Sequence, residues 1–501
     1  MSRNNERGVA LVITLFLMAS LSALAVSLMF LSQTETSASR NYKTMSQARY
    51  AGEAGIHKTM NYLMSTAYTN TVSTAFASVN ASNNPVQYSG NAVLLSSTTS
   101  ESNYPDSAVK TAFAAAAAGS LSAGTGTVNY ATKAKLLSMV QVTNVYGANG
   151  PRYIQTWQIT ATGSVPVAGS NAATVEVTAT LERDISDAQT FAVFATGPGC
   201  GAISLQGNVS TGSYDSTIPS GSGSASNPDS SGGNVGTNGN MSIGGDVDVH
   251  GSLSTPRVGV GTCDEGAITA LSTDGHATVD GNNLIQLPQA MNFDPPDPPS
   301  PMPPASGTTS SCADVYSNNG ASTSLQFLPA TCSVVSGKVT IDPMGKTILL
   351  GNISGSFALK GGKYNVNSVG SGDLTVQTSL NGTTNVAITL AGKTTTGGDL
   401  ATVFDLNGNA VVNASMDPAR LQILYGGPGA IEMTGGSQGA FMIYAPNASV
   451  TTHGNSDIWG SVLARQVTSA GTPRFIYDRN LQSKFFTLGN WVMSSFSWKK
   501  Y

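Results

Sequence analysis

Charge is what this 501-residue sequence has least of. Asp, Glu, Lys and Arg make up 10% of it, against roughly 25% in an average soluble domain. That shortage excludes a helical bundle or coiled coil, whose faces need Glu, Lys and Arg. The formal net charge of −4 argues against a nucleic-acid binder, whose affinity rests on neutralising phosphates. Four histidines, His57, His250, His276 and His453, stand apart with no H-E-x-x-H spacing, so each reads as a solvated turn residue rather than a metal ligand. The four cysteines form no C-x-x-C pair, which removes the zinc and thioredoxin patterns. Charge-driven disorder is excluded by 40% hydrophobic residues and the small net charge. In excess is glycine, at 55 positions, with much Ser, Thr, Asn and Ala. Such a chain is mainly β and turn-rich, solvated by hydroxyls and amides. No cofactor is expected.

The N-terminus carries the longest signal. Val9 to Ser32 is a run of 24 residues without a charge. As a helix it spans about 36 Å, enough for a bilayer core of about 30 Å with some tilt. Arg3 and Arg7 precede it, partly offset by Glu6, and favour a cytoplasmic N-terminus, with the rest of the chain outside the cytoplasm. A cleaved secretory signal with Ala23-Leu24-Ala25 as its site is the alternative. Against it, the apolar run is longer than an ordinary signal core and continues past that site.

From Gln33 to about Ser65 neither proline nor a turn cluster interrupts the helix. Small residues recur at Ala48, Ala51, Gly52, Ala54 and Gly55. The pairs Ala48/Gly52 and Ala51/Gly55 are four apart, so each shares a helical face. Small-xxx-small spacing lets another backbone approach closely. That backbone belongs either to the chain's own domain or to other helices. Joined to a membrane-spanning start, the stripe is expected to pack among copies of similar helices.

Here the residues resemble a family. Glu6-Arg7-Gly8-Val9-Ala10-Leu11-Val12, the apolar helix, and Ala48-Arg49-Tyr50-Ala51-Gly52-Glu53-Ala54-Gly55-Ile56 are similar to the N-terminal segment of PilX-type minor pilins over about the first 65 residues. The resemblance implies a leader, residues 1–8, cleaved between Gly8 and Val9 by a prepilin peptidase, and methylation of the new N-terminus. It also implies assembly with other pilins or pseudopilins through the helix. The sequence departs from the usual pilin pattern: the mature chain would start with Val9 rather than Phe, and its fifth residue would be Ile13 rather than Glu. The acidic fifth residue compensates a neighbour's buried amine, and an uncompensated buried charge is costly. Its absence points to a minor subunit, placed at a filament tip.

Residues 66–188 form a second zone. Thr66 to Ser122 is Ser/Ala/Asn-rich with short apolar pieces. From Leu136 the pattern becomes strands: Leu136–Tyr146, Tyr153–Val165 and Ala172–Arg183. In the last two, Ile159, Ala161 and Gly163 alternate with Thr160 and Thr162, and Val175, Val177 and Ala179 with Glu176, Thr178 and Thr180. Gly169-Ser170-Asn171 supplies turn chemistry between them. A long helix followed by a small antiparallel sheet is the pilin architecture that the resemblance implies.

Residues 189–501 are repetitive. Gly-Asn or Gly-Asp followed by small and apolar residues recurs at Gly207-Asn208-Val209, Gly239-Asn240-Met241, Gly245-Asp246-Val247, Gly351-Asn352-Ile353, Gly372-Asp373-Leu374 and Gly408-Asn409-Ala410. Each reads as a short β stretch opened by a residue that tolerates left-handed backbone angles. Stacked as a parallel β-solenoid, such units bury an apolar stripe that none could bury alone. An antiparallel β-sandwich or jelly roll is the alternative. The region also resembles a poorly characterised module found downstream of PilX-type segments in bacterial surface proteins. The residues that carry this are Gly207–Ser216, Phe441–Ala448, Gly454-Asn455-Ser456 and Ile458–Val462. A solenoid-like β fold is implied, without catalytic residues.

Asp294–Pro304 holds seven prolines, a density that excludes helix and central strand and favours an extended polyproline strap. Ser220–Asn240 is Gly/Ser/Asn-rich and reads as an exposed loop. Cys200, Cys263, Cys312 and Cys332 all lie in the half expected to be exported, where disulfides form. Sequence neighbourhood favours Cys200–Cys263 and Cys312–Cys332 among three connectivities, with free buried thiols as the alternative.

Enzyme signals fail on context. Gly435-Gly436-Ser437-Gln438-Gly439 matches G-x-S-x-G but is followed by a strand pattern where a nucleophile elbow needs a helix. Gly197-Pro198-Gly199-Cys200-Gly201-Ala202 resembles a dinucleotide loop without the phosphate-binding helix. Asp246 and Asp248 sit two apart, as a glycosidase acid or a calcium ligand would, yet no repeated G-G-x-G-x-D pattern supports calcium. The chain thus reads as α+β, mainly β, with a long transmembrane/pilin-like helix, a small antiparallel sheet and a large β-solenoid domain. Its expected role is a minor pilin-like component of a type IV pilus, in the inner membrane before assembly and then on the pilus surface. Its β domain would serve assembly or adhesion to a surface ligand. A polysaccharide-active enzyme on a β-helix is the alternative.

Overall fold

The computed structural model describes residues 5–69, 71–123, 126–166, 172–274, 278–305, 308–310, 339–342, 347–354, 357–360, 362–370, 374–377, 385–406, 411–413, 415–435, 438–455 and 457–500. The chain forms two compact units. One comprises Met1–Gln141, Tyr153–Arg183 and Trp491–Tyr501, the other Val142–Arg152 and Asp184–Asn490.

In the first unit a single helix, Asn5–Met64, runs for 60 residues, about 90 Å. Hydroxyls inside its apolar run stay bonded to the helix itself. Thr14 Oγ1 donates to Ala10 O at 3.0 Å and Ser20 Oγ to Leu17 O at 2.9 Å, so neither hydroxyl needs an outside partner. After two short helices and the helix Ser107–Ala116, capped by Asp106, come the strands Gly126–Val142, Arg152–Val165 and Ala173–Asp187. The first begins ten residues before the expected Leu136, because alternation of buried and exposed residues already holds from Val128. The last two pair antiparallel, with Ile159 opposite Ala179 and Ala161 opposite Val177. These four residues are fully buried, as their alternation requires.

The edge strand of this sheet is Phe486–Lys500. This differs from the expected partition, which left everything after residue 188 in the C-terminal domain. A strand that pairs through its backbone carries no mark in its side chains of which sheet it joins.

The second unit is built from parallel strands that share one hydrophobic core. Successive strands along the chain go to successive ladders, so each return of the chain adds a rung about 4.8 Å further on. One ladder runs through Val386–Leu390, Leu421–Tyr425, Met442–Tyr444, Val462–Ala464, Val193–Ala195, Val235–Thr237, Leu253–Thr255 and Leu284–Gln286. A second runs through Thr402–Leu406, Ala430–Gly435, Val450–Gly454, Val467–Gly471, Ile203–Gly207, Met241–Gly244 and Leu271–Thr273. A third joins Arg474–Asp478, Ser210–Tyr214, Asp248–Val249 and Thr278–Val279. These registers are parallel, so the antiparallel sandwich is excluded; among the described strands of these ladders Val339–Asp342 alone pairs antiparallel with another strand, Thr347–Ser354, beside isolated antiparallel bridges such as Ser213 with Asp229.

The winding order is unusual. The first rung in sequence, at Val193, stacks on the last, at Val462. The chain therefore enters in the middle of the stack and winds out to Leu284–Gln286. It then crosses to the far end and winds back from Thr347 to Asp478. The crossing is made by the proline-rich segment. Met291 N donates to Asn238 Oδ1, Tyr444 OH to Asp294 O, and Asn365 Nδ2 to Pro301 O, each a rung or more further along. Between them Phe293 packs with Phe194, Leu463, Tyr444 and Leu424. Seven rung steps cover about 34 Å, and the 14 residue steps from Met291 to Ala305 reach about 43 Å as polyproline II.

One of the expected Gly-Asn turns, Gly207-Asn208, forms a corner of the second ladder together with Gly471, which lay outside the expected set. Gly207 and Gly471 have φ of 101° and 111° and face each other in register. A Cβ on Gly471 would lie 2.4 Å from Gly454 O, so the corner needs glycine for both its angle and its space. Gly351-Asn352 is a correction: it lies inside the strand Thr347–Ser354, where Asn352 accepts from Asn367 Nδ2 and Ser368 Oγ at 2.7 Å each. Gly372-Asp373, Gly408-Asn409-Ala410, Gly169-Ser170-Asn171, His276, Cys312 and Cys332 lie outside the described residues.

Candidate functional site

The N-terminal helix changes character along its length. From Val9 to Leu31, fifteen large apolar side chains are 52–78% exposed. Burying each is worth about 1.5–3 kcal/mol, so tens of kcal/mol oppose leaving this surface in water. By length and composition the helix can cross a membrane.

From Thr44 onward the helix lies on its own sheet. Ala48, Ala51, Gly52 and Gly55 are buried there. A Cβ on Gly52 would meet Val177 Cγ2 at 2.7 Å, and one on Gly55 would meet Thr132 Oγ1 at 2.9 Å. The strand answers with a glycine of its own: a Cβ on Gly163 would lie 1.8 Å from Ala48 O. The small-residue stripe thus serves close approach of helix and sheet within one chain, rather than the contact with copies expected from its spacing. Spacing reports how near a backbone comes, not whose backbone it is. Ala54 lies at the edge of this contact, partly exposed.

The charged residues of the same segment close the site. Arg49 Nε donates to Glu53 Oε1 at 2.8 Å, and the Arg49 guanidinium lies 5.4 Å from the Trp498 ring centroid, within cation–π range. Below them Tyr68 OH donates to Gln155 Oε1 at 2.8 Å and Trp157 Nε1 to the same oxygen at 3.1 Å. Burial pushes the neighbouring Tyr104 hydroxyl up to about 12. These contacts fix the helix on its sheet. Trp498, Gln155 and Tyr68 were missed from sequence, since nothing in their local pattern points to the helix they support.

The remaining candidates are dispersed. Cys200 and Cys263 form a disulfide, the pairing that sequence neighbourhood favours. Asp246 and Asp248 are both exposed, and Asp248 Oδ1 accepts from Thr278 Oγ1 at 2.7 Å. His250 lies 3.4 Å from Asp280, while His57 is on the exposed side of the long helix. Among the described residues no group of three His, Cys, Asp or Glu is placed to hold a metal. Gly197–Ala202 is a turn between two strands, with Gly197 N donating to Arg465 O at 2.8 Å, and the strand Gln438–Gly454 follows Gly435. Neither stretch leads into a helix.

Comparison with known proteins places these features. Residues 7–57 match the PilX N-terminal family, so the chain carries the N-terminal segment of a PilX-type pilin. Residues 329–484 match a domain of unknown function, DUF7305, and the pilin segment is therefore joined to an extra domain. That match takes in the second winding segment, on whose last rung the first segment stacks. A solved structure, the competence-associated pilin ComZ from Thermus thermophilus, is similar at 14% identity over 91% of this chain and 98% of that one, with a TM-score of 0.23. No curated protein matches the chain. The matched segment supports a pilin-like, type IV pilus-related protein.

Proposed function

We propose that this chain is a minor pilin that carries a large β domain out of the inner membrane and displays it on a type IV pilus or related filament. The observation that carries the reading is the split helix. Its second half is spent on the chain's own sheet, and its first half, matched to the PilX segment, is apolar and uncovered. Lipid before assembly, and the apolar helices of neighbouring pilins afterwards, supply the cover that half requires. A prepilin peptidase cleaves the leader between Gly8 and Val9. With Ile13 at the fifth mature position, the subunit lacks the carboxylate that answers a neighbour's amine, which suits a tip position. The parallel ladders read as a solenoid wound in two segments, an extended surface suited to assembly contacts or adhesion.

Mass spectrometry of the mature protein tests this. A first residue of Val9 is expected. A first residue of Val26, after Ala23-Leu24-Ala25, would refute membrane anchoring and leave a secreted β protein.

A further inference from the structure

The outer face of the second ladder carries a groove of about 730 Å³, within the range of small-molecule sites. Its floor is a row of hydroxyls. Ser204 pairs with Ser242, and Ser242 with Ser272, in parallel register. All three are half-buried and repeat at the strand spacing of about 4.8 Å. Gln206 and Asp274 extend the floor. One wall is the loop after Thr255, pinned by the Cys200–Cys263 disulfide. The wall is also fixed from beneath: buried Asn240 donates through Nδ2 to Thr269 O and to Ser272 Oγ, both at 3.1 Å, and Ser272 Oγ donates to Gly261 O at 2.8 Å. The floor and its wall are therefore preorganised rather than a loose surface dip.

The lining excludes several ligand classes. It holds no Lys and no Arg, and the wall exposes Asp264 and Glu265, so phosphate, sulfate and carboxylate ligands are repelled. It holds no aromatic residue, and its one aliphatic side chain, Ile243, is itself buried, which gives a lipid or apolar peptide no side chain to pack against. One lining carboxylate, Asp274, cannot build the oxygen shell of a calcium ion. What remains is a ligand that gives and takes hydrogen bonds at regular intervals without charge. Serine hydroxyls and a glutamine amide do both.

We infer that this groove binds an uncharged saccharide chain lying across the rungs over Ser204 and Ser242. The inference rests on the reading of the β domain as a displayed module and names the class of its ligand. Without an aromatic platform each site binds weakly, and display of many copies or a long ligand supplies avidity.

The test uses the full-length protein in a sugar-free detergent on an array of uncharged, sialylated and sulfated glycans. Retention of uncharged glycans is expected, with Ser242→Trp, which fills the floor, lowering the signal about tenfold or more. Ser204→Ala, which removes a hydroxyl without adding volume, is expected to lower it several-fold with folding intact. Retention of no uncharged glycan, preference for acidic ones, or signals unchanged in both variants would overturn the inference. A mature N-terminus at Val26 with glycan binding intact would sink only the pilin reading. A Val9 start without glycan binding would sink only the groove.

Discussion

Gly163→Ala tests whether the helix is docked on its own sheet as described. A Cβ there would lie 1.8 Å from Ala48 O and 2.6 Å from Gly52 N. Carbon and oxygen in contact sit about 3.3–3.6 Å apart, so helix and sheet must part by about 1.5 Å. Both offending groups are backbone, and no rotamer can relieve them. A gap of even 0.5–1 Å forfeits about a quarter to a half of each dispersion contact. The loss is spread over an interface that buries Ala48, Ala51, Ile56 and Leu63 completely. We therefore expect about 3 kcal/mol, the upper end of overpacking costs. Most of a helix's stability in a protein comes from the packing of its buried face, so hydrogen exchange in peptides covering residues 45–64 should quicken about a hundredfold. Gly126→Ala is the control, because a Cβ at Gly126 meets nothing within 4 Å. Exchange in Gly163→Ala within about threefold of the parent would show that the helix does not rest on this strand, and the docking argument would fall.

Three further outcomes follow from the second unit. Reduction of Cys200–Cys263, which closes a separation of 63 residues, should cost about 4 kcal/mol by the loop-entropy relation, seen as a lower melting temperature in calorimetry with reductant; an unchanged melting temperature would contradict it. Gly471→Ala combines a φ of 111° with a carbonyl 2.4 Å from the new Cβ. It should lower the urea midpoint by the equivalent of about 2 kcal/mol or more, and a midpoint matching the parent's would refute the corner argument. Asp478 gives a pH signature. Burial, reinforced by Asp417, holds its carboxyl above the usual range despite the Ser216 and Asn480 N–H donors. The folded state then keeps the proton longer than the unfolded one, so stability is complete below the ordinary carboxylate pKa and falls as pH rises through the raised value. Asp478→Asn removes that loss, and its stability advantage in denaturant titrations should grow from pH 3 to pH 7. An advantage that is flat with pH would rule the carboxyl out as its source.

The legible parts of this fold are those whose chemistry is local. Alternation alone marks Ile159, Ala161, Val175 and Val177 as one buried face, and they are. The apolar run and the uninterrupted stretch behind it mark the helix. The Ala48–Gly55 stripe announces a close approach, but its partner is a strand more than a hundred residues away, and only the matching Gly163 betrays it. The proline segment shows its extended state in its composition and hides its route. The parallel ladders hide more. Their pairing uses backbone groups that every residue owns, over a core where Val, Ile and Leu are interchangeable, so sequence order says little about which rung lies on which. The groove is invisible for the same reason: Ser204, Ser242 and Ser272 are 30 or more residues apart and meet only through register.

The winding order and the proline strap solve one problem together. The β domain is an insertion: the chain leaves the antiparallel sheet after Asp187 and returns to it through the strand that begins at Phe486. An inserted domain is tolerated when its ends lie close together. A stack of ten rungs wound from one end to the other would separate its ends by about 43 Å. Starting in the middle removes that separation, because Val193 and Val462 become neighbours in one ladder. The consequence is that the chain, once it reaches Leu284–Gln286, must travel the length of the stack before winding back. A flexible crossing would cost entropy along its whole length. Proline fixes φ in advance and removes N–H groups that would otherwise each need a partner along the crossing. The strap is then held where it does present polar groups: Asp297 accepts from Asn149 N at 2.8 Å and from Arg152 Nη2 at 2.6 Å. Composition, route and insertion are one arrangement, and a body of this kind wound from end to end would have no use for seven prolines at its waist.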